Sequence, residues 1–414
     1  VTGPLGTLRA LVRAPLWWTA KLLPLVAAAE LAALTAGVDA ADGVPRIAAM
    51  LVAAVSVAAA AHVVNDLADL ASDRAAGKES SAARTSVGGR AGLLTLCALG
   101  AILPWFVVPL DIVAASILGV LVVVSAIYSL PPIRLKGRAT AGVAADALVA
   151  HTLPTAFAFV ELGSAGVRAA WWWVALACSL VWSTAFGVRS IVVHQILDSD
   201  GDTAAGVATM VVAKGVPRAA RLGRDASAVE VVALAGLLVV SFRVNPWLGL
   251  AFVAHFAMWA HHRRFDAPPI DMVPTSPGAW LPLAEFYEVW PAIGFGLVLA
   301  SREPGWWWIV GTVVAVFASA VLKQAASFAA QLRELAHEIV AWFRRKVGMK
   351  PVWALYRTYW SVRRAVFQPL RRAVVDPLRA LVRRNGRRLR RRLPGGRRRR
   401  PDGPPLGGSP DSAP

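Results

Sequence analysis

Ten apolar stretches, each near twenty residues long, constrain this chain more than any other feature. A helix needs about 20 apolar residues to cross the ~30 Å hydrocarbon core of a bilayer, where every backbone N–H and C=O must be satisfied internally. Stretches of that kind fall at about 14–37, 44–64, 91–109, 110–128, 142–161, 171–193, 226–243, 246–261, 283–300 and 305–322. With 57% hydrophobic and 17% charged residues and a mean hydropathy of +0.54, a soluble globular domain is excluded. The expectation is an all-α, polytopic membrane helix bundle. No separate cleavable leader is evident, and the first apolar stretch is expected to stay as a span. Cys97 and Cys178, the two cysteines, both lie in apolar runs, so packing rather than disulfide or redox chemistry is expected of them.

The formal charge of +19 would suggest a nucleic-acid partner if it were spread over the chain. It is not. Residues 1–322 hold 21 basic and 20 acidic side chains, whereas 323–414 hold 23 and 5. Ten spans place both termini on one side. The loops on that side, counted before the tail, carry 13 basic residues, and the opposite loops carry four: Arg46, Arg168, Arg243 and Arg302. The positive-inside rule therefore puts the basic loops, both termini and the tail in the cytoplasm of a multi-pass plasma-membrane protein.

Polar chemistry gathers in three of these cytoplasmic loops. After the second span come Asn65, Asp66, Asp69 and Asp73, then Ala75-Ala76-Gly77. After the sixth come His194, Gln195, Asp198 and Asp202, then Ala204-Ala205-Gly206. Each member is displaced by 129 positions, which reads as an internal pseudo-repeat. On a helix, Asp66, Asp69 and Asp73 fall within roughly 60° of arc, as do Gln195, Asp198 and Asp202. Carboxylates crowded at a membrane face need protons or cations. Oxygen-only ligand sets suit Mg²⁺, which commonly joins one or two carboxylates to substrate phosphates. The bland alternative, solvated helix-end charges, suits one cluster better than two at identical spacing. A diphosphate also needs basic partners. Lys136, after Tyr128-Ser129-Leu130-Pro131-Pro132, is the first candidate, with Arg84, Lys78 and Lys214 behind it. A transporter would instead place its ionisable groups along a path through the midplane.

These segments resemble the UbiA-type intramembrane prenyltransferases. Asn65-Asp66-Leu67-Ala68-Asp69-Leu70-Ala71-Ser72-Asp73 is similar to that family's first aspartate signature, and Asp198-Ser199-Asp200-Gly201-Asp202 with Gly206-Val207 is similar to its second. The run from Tyr128 to Lys136 resembles the turn between spans four and five. The resemblance spans roughly residues 10–300. It implies a nine-helix core enclosing a lipid-open cavity, to which this chain adds a tenth span, and Mg²⁺ ions that bridge the aspartate motifs to an isoprenyl diphosphate. It also implies Asn65, Asp66, Asp69, Asp198 and Asp202 as metal-site residues, Asp73 as a supporting acid and Lys136 as a diphosphate contact. The chain departs from the family pattern at Thr85-Ser86, at Ala208 and at His194-Gln195.

The expected chemistry is Mg²⁺-dependent transfer of an isoprenyl group to a hydrophobic aromatic or lipid-like acceptor, with release of diphosphate. Lys136 is expected to neutralise the leaving group and His194 to take a proton or bond diphosphate. The ring faces of Tyr128, Phe157, Trp182 and Phe186 are candidates to stabilise positive charge, with ordinary packing the favoured alternative for each. Two further enzyme readings are an intramembrane terpene cyclase and a phosphoribosyl-type transferase on the same scaffold. A noncatalytic scaffold or lipid carrier would have no use for two acidic clusters. Asp146, His151 and Arg189 sit inside spans, as acceptor-site groups or as a structural Asp146–Arg189 pair. Glu285, Tyr287 and Glu288 begin the ninth span, as entrance residues or interface anchors.

The domains expected are 1–304, the prenyltransferase-like body; 305–347, an added span and helical extension; 348–400, a basic amphipathic segment; and 401–414, a disordered tail. Within 352–382 apolar residues recur every three or four positions with arginines between them, and Arg runs follow at 387–392 and 397–400. That pattern suits a broken helix on an anionic leaflet. Nucleic acid is disfavoured as a partner, since no module of stacking aromatics accompanies the arginines.

Overall fold

The computed structural model describes residues 12–75, 84–263, 271–275, 281–346, 357–361 and 364. Among these the chain is helical, and no strand forms beyond an isolated parallel bridge between Ala139 and Thr209. In order the body holds α1 (Ala14–Ala36), α2 (Ala40–Ala75), α3 (Val87–Ile102), α4 (Ile112–Ser129), α5 (Ala139–Ala147), α6 (Leu153–Gly163) and α7 (Ala170–Leu197). The short α8 (Ser199–Ala204) and α9 (Met210–Lys214) lead into α10 (Val216–Val244) and α11 (Pro246–Arg263). Then come α12 (Ala284–Tyr287), α13 (Trp290–Arg302), α14 (Trp307–Val316) and α15 (Ala318–Lys346). A π-helical turn at Leu148–Thr152 joins α5 to α6, so that Ala139–Gly163 acts as one span. Residues 357–361 form a further helical turn. The rest of the basic segment expected over 348–400, the Arg runs and the tail from 401 lie outside the described residues. Contacts divide the chain at Leu332/Arg333.

Seven of these helices are long and apolar enough to cross a membrane, eight if one bent pair counts as a single span. The chain is a multi-pass membrane protein. The last three expected spans differ from the sequence reading. The eighth forms as α11, whose three histidines and terminal arginine lower its hydropathy. The ninth is divided between the one-turn α12 and the 13-residue α13, about 20 Å of helix and shorter than the hydrocarbon core. The tenth is not straight. Residues 304–316 and the helix beginning at Ala318 meet at 85°, with Phe317 at the break.

Helix α1 runs through the centre. Leu23, Val26, Ala29, Ala32 and Ala33 are all fully buried, against α6 and α13, while α7 lies along α10. Small residues set the spacing. A Cβ on Gly43 would fall 2.2 Å from the Trp306 ring, and one on Gly166 2.4 Å from the Ala36 carbonyl. By contrast Leu96, Leu99, Ile102, Leu103 and Phe106 on α3 and its 3₁₀ extension face outward, as a hydrocarbon-facing surface requires. Helix ends are tied with side chains. Asp111 accepts the Val113 and Ala114 N–H groups at the start of α4, and Glu303 accepts the Ala40 N–H at 2.8 Å. Such caps contribute about 1 kcal/mol each.

Two charge pairs fasten the bundle. Arg46 bonds Glu161, whose other oxygen accepts the Asp111 N–H at 3.0 Å. Deeper in the fold, Arg189 makes a two-pronged contact with Glu230 at 2.6 and 2.8 Å, both side chains being fully buried. Tyr287 donates its hydroxyl to Glu230 at 2.8 Å, and Arg189 donates to the carbonyls of Met272 and Pro282. Arg189 therefore pairs with Glu230 and not with Asp146. Tyr287 is a buried structural residue rather than an entrance group.

Candidate functional site

Helix α2 carries its acidic run in its last turns, α7 ends at the second acidic run, and the α4–α5 connection lies between them. These elements, with α1 and α6, enclose a cavity of about 510 Å³. Asn65 and Asp69 line it from α2, and His194, Asp198 and Asp202 from the end of α7 and from α8. Tyr128 and Lys136 enter from the α4–α5 side. Residues 129 positions apart in sequence thus meet at one chamber. Helix α7 stops at Leu197, and Asp198 leaves helical geometry at φ −105°, ψ 11°. The i→i−4 bonds from Asp198 N–H to the His194 carbonyl and from Asp202 N–H to the Asp198 carbonyl still hold the motif together. Gly206, with φ +64°, ends the segment as its position after the motif predicts.

The Lys136 turn joins the two motifs. Arg134 and Ala139 both have positive φ, 42° and 44°, an uncommon conformation for residues with a Cβ. Between them Leu135–Gly137 makes a single 3₁₀ turn that buries Lys136. Its Nζ bonds the Asn65 Oδ1 at 3.1 Å and both carboxylate oxygens of Asp69. Arg134 adds a 2.9 Å contact to Asp69, and the Ser129 hydroxyl donates to Asn65 Oδ1 at 3.1 Å. On the other side the Ala139 N–H donates to the Ala208 carbonyl, and Gln195 accepts the Met210 N–H. One tight turn therefore fixes the first motif by side chains and the second by backbone.

Not every expected site residue is among those that line the chamber. Asp66, only 2% exposed, does not line the chamber, and instead forms a 2.6 Å ion pair with Arg13 of the segment leading into α1. Arg84 precedes α3 and Lys214 ends α9; both are exposed and apart from the cavity. The Asp73 side chain and all of Lys78 lie outside the described residues. Sequence reasoning also missed three cavity residues, Arg13, Lys21 and His62. Lys21 carried a usable signal, a charge inside an apolar span. His62 sits one turn before Asn65 and stacks on Trp17, with ring centroids 6.1 Å apart and planes at 10°.

Below the charged mouth the walls become apolar. Leu25, Ala54, Ala58, Leu118, Leu121 and Phe157 line the far end, and Trp105 meets Phe157 edge-on at 5.8 Å. The chamber is amphiphilic, with oxygen ligands and amines at one end and hydrocarbon at the other. Among the described residues no three His, Cys, Asp or Glu side chains converge into a complete metal cage. The donors available are Asn65 with Asp69 on one element and Asp198 with Asp202 on another, all oxygen. Lys136 and Arg134 lie on Asp69, so cations already occupy the carboxylate's surroundings. Such a set suits a hard divalent ion that shares its coordination with phosphate oxygens and water.

Comparison with known proteins agrees with that geometry. The sequence profile of the UbiA prenyltransferase family matches residues 22–271. The chain belongs to the UbiA prenyltransferase family. Its matched region holds both aspartate motifs and the Lys136 turn. Among solved structures, a UbiA homologue from Archaeoglobus fulgidus bound to DMAPP and Mg²⁺ superposes with a TM-score of 0.50 at 18% identity, covering 71% of this chain and 99% of the homologue. The GPP- and Mg²⁺-bound form of that homologue gives a TM-score of 0.48 at 17% identity, over 74% and 99%. A digeranylgeranylglyceryl phosphate synthase structure gives 0.41 at 15% identity, over 73% and 98%. No curated protein is significantly similar to the chain in sequence. At these identities the structural likeness establishes the fold, a UbiA-type membrane helix bundle.

Proposed function

We propose that this prenyltransferase moves an isoprenyl group from an isoprenyl diphosphate to a hydrophobic aromatic or lipid-like acceptor, with Mg²⁺ and with release of diphosphate. The observation that carries the reading is the joining of Asn65, Asp69, Lys136, Asp198 and Asp202 at one end of a chamber whose other end is apolar. The Archaeoglobus homologue, bound to DMAPP and Mg²⁺, lends its fold and its ligands to the same reading. We assign the metal-site role to Asn65, Asp66, Asp69, Asp198 and Asp202, with Asp73 as a supporting acid; Asp66 reaches the chamber through its ion pair with Arg13, which lines it.

When bound, Mg²⁺ supplies a Lewis acid that draws off the negative charge developing on the leaving diphosphate. The chain's own residues do the rest. Lys136, held by a rigid turn, presents a point charge to the same oxygens, while Arg13 and Lys21 add positive potential along the α1 wall. Ile191, Leu121 and Leu118 exclude water from the allylic carbon, which would otherwise be captured as an alcohol. The apolar far end takes the prenyl tail without removing it from a lipid-like environment. The active loops and both termini lie on the cytoplasmic side of the plasma membrane, and the basic C-terminal segment holds anionic lipids.

The test is diphosphate release and product mass spectrometry on the full-length protein in liposomes, with Mg²⁺, isoprenyl diphosphates of several lengths and a membrane-lipid extract. Asp69→Ala and Asp198→Ala are each expected to remove Mg²⁺-dependent release. Undiminished release in both variants refutes the assignment, and cyclised products formed without acceptor would replace it with the cyclase.

A further inference from the structure

We propose that Asp146, which shares the chamber wall with Tyr128, is the group that takes the proton given up by the acceptor, a role that rests on the prenyl transfer proposed above. Asp146 lies on α5, seven residues into the span Ala139–Gly163, about 10 Å along the helix from its start. A carboxyl group at that depth is costly and calls for a function or a partner. The structural partner that the sequence offered, Arg189, is fully committed to Glu230. Asp146 instead lines the chamber, as do Tyr128 and His194. Lys21 and His194 are the basic groups facing it, and Asp69 and Asp202 lie near Tyr128.

The other chamber carboxylates are occupied differently. Asp69 carries Lys136 and Arg134, and Asp198 and Asp202 sit at the mouth on the second motif. Asp146 stands between that charged mouth and the apolar far end marked by Phe157, eleven residues further along the same span. A base at this place suits an acceptor whose attacking atom must lose a proton, and a hydrophobic phenol or other activated ring is the class proposed.

The step balances. The acceptor's carbon or oxygen forms a bond to C1 of the prenyl group as the C1–O bond breaks, and the electron pair leaves with the diphosphate. The hydrogen on the attacking atom goes to an Asp146 carboxylate oxygen as a proton, which restores the ring or leaves a neutral ether. The proton then reaches water through the mouth of the chamber.

The experiment compares wild type with Asp146→Asn, Asp146→Glu and Tyr128→Phe as full-length protein in liposomes. It uses Mg²⁺, geranyl diphosphate, 1-naphthol as a phenolic probe and a total membrane-lipid extract as a source of natural acceptors. Diphosphate release, prenylated product and free prenol are measured together, with thermal unfolding to verify folding. Asp146→Asn should lose about a hundredfold in transfer, the usual weight of a general base, and proportionately less in diphosphate release, so that the ratio of prenol to product rises. Asp146→Glu should recover part of the transfer, and Tyr128→Phe should shift the product-to-prenol ratio in the same direction by less. A fall in transfer that only follows a fall in release overturns the role, as does an unchanged ratio. Release by wild type without transfer to either acceptor source overturns it too. Absence of Mg²⁺-dependent release by wild type refutes the prenyl-transfer reading itself, which separates the two failures.

Discussion

Substituting alanine for Glu230 should strongly destabilise the protein. The carboxylate receives two donor contacts from Arg189 and one from Tyr287, all between 2.6 and 2.8 Å, and it is fully buried. Removing one member of a buried pair leaves an uncompensated charge and costs about 3–5 kcal/mol. Here Arg189 keeps the Met272 and Pro282 carbonyls, which places the expected loss near the lower end, about 3 kcal/mol. Tyr287→Phe removes a single bond to a charged group and should cost about 1.5 kcal/mol. Arg189→Met with Glu230→Leu removes both charges together and should recover most of the loss, because an apolar pair of similar volume avoids the desolvation penalty. Chemical unfolding in mixed micelles gives the energies, and hydrogen exchange at residues 271–275 and 281–283 reports whether the connection anchored by Arg189 loosens. A Glu230→Ala loss below about 1 kcal/mol, or a double variant less stable than the single, would refute the view that this pair fastens α7, α10 and α12 together.

Two further outcomes follow from the chamber's shape. Ala58 lies eleven residues before Asp69 on α2 and lines the apolar end, about 16 Å of helix from the acidic mouth. Ala58→Phe should therefore lower kcat/KM for donors of three or more isoprene units by at least about tenfold, the value of one lost methylene-scale fit, while five-carbon donors are spared; equal losses across the donor series would refute this. Gly142 has no room for a side chain, since a Cβ would sit 2.8 Å from the Leu135 carbonyl and 3.1 Å from that of Lys136. Gly142→Ala should cost about 1–3 kcal/mol of strain and displace the lysine turn, so diphosphate release at fixed donor should fall while the unfolding midpoint moves modestly; unchanged release would show that the turn tolerates the shift.

The two acidic runs were legible because chemistry at a membrane face stands out against apolar sequence and because the same spacing occurs twice. Their meeting was legible through the pseudo-repeat. What the sequence could not show was which edge of each helix the cavity would use. Asp66, Asp69 and Asp73 share an arc on a wheel, yet the chamber borders the Asn65–Asp69 edge, and Asp66 turns toward Arg13 on a neighbouring element. A wheel carries no information about that neighbour. The Arg189–Glu230 pair was hidden for the same reason: its members are 41 residues apart on different helices, and each alone is a stray charge in a span. Lys21 and His62 became site residues only when α1 and α2 packed around one cavity. The bend at Phe317 was masked by an uninterrupted apolar composition, which reads as one span whether or not the helix is straight.

Lys136 resting on Asp69 has a consequence for how ligands of opposite sign affect one another. A cation that takes the Asp69 carboxylate releases the lysine amine for an anion, and an anion that draws the amine away exposes the carboxylate to a cation. Since both routes lead to the same doubly bound state, thermodynamic reciprocity requires each ligand to raise the other's affinity by an equal factor. With the roles proposed for Asp69 and Lys136, metal and diphosphate are expected to bind cooperatively, through one amine exchanging partners.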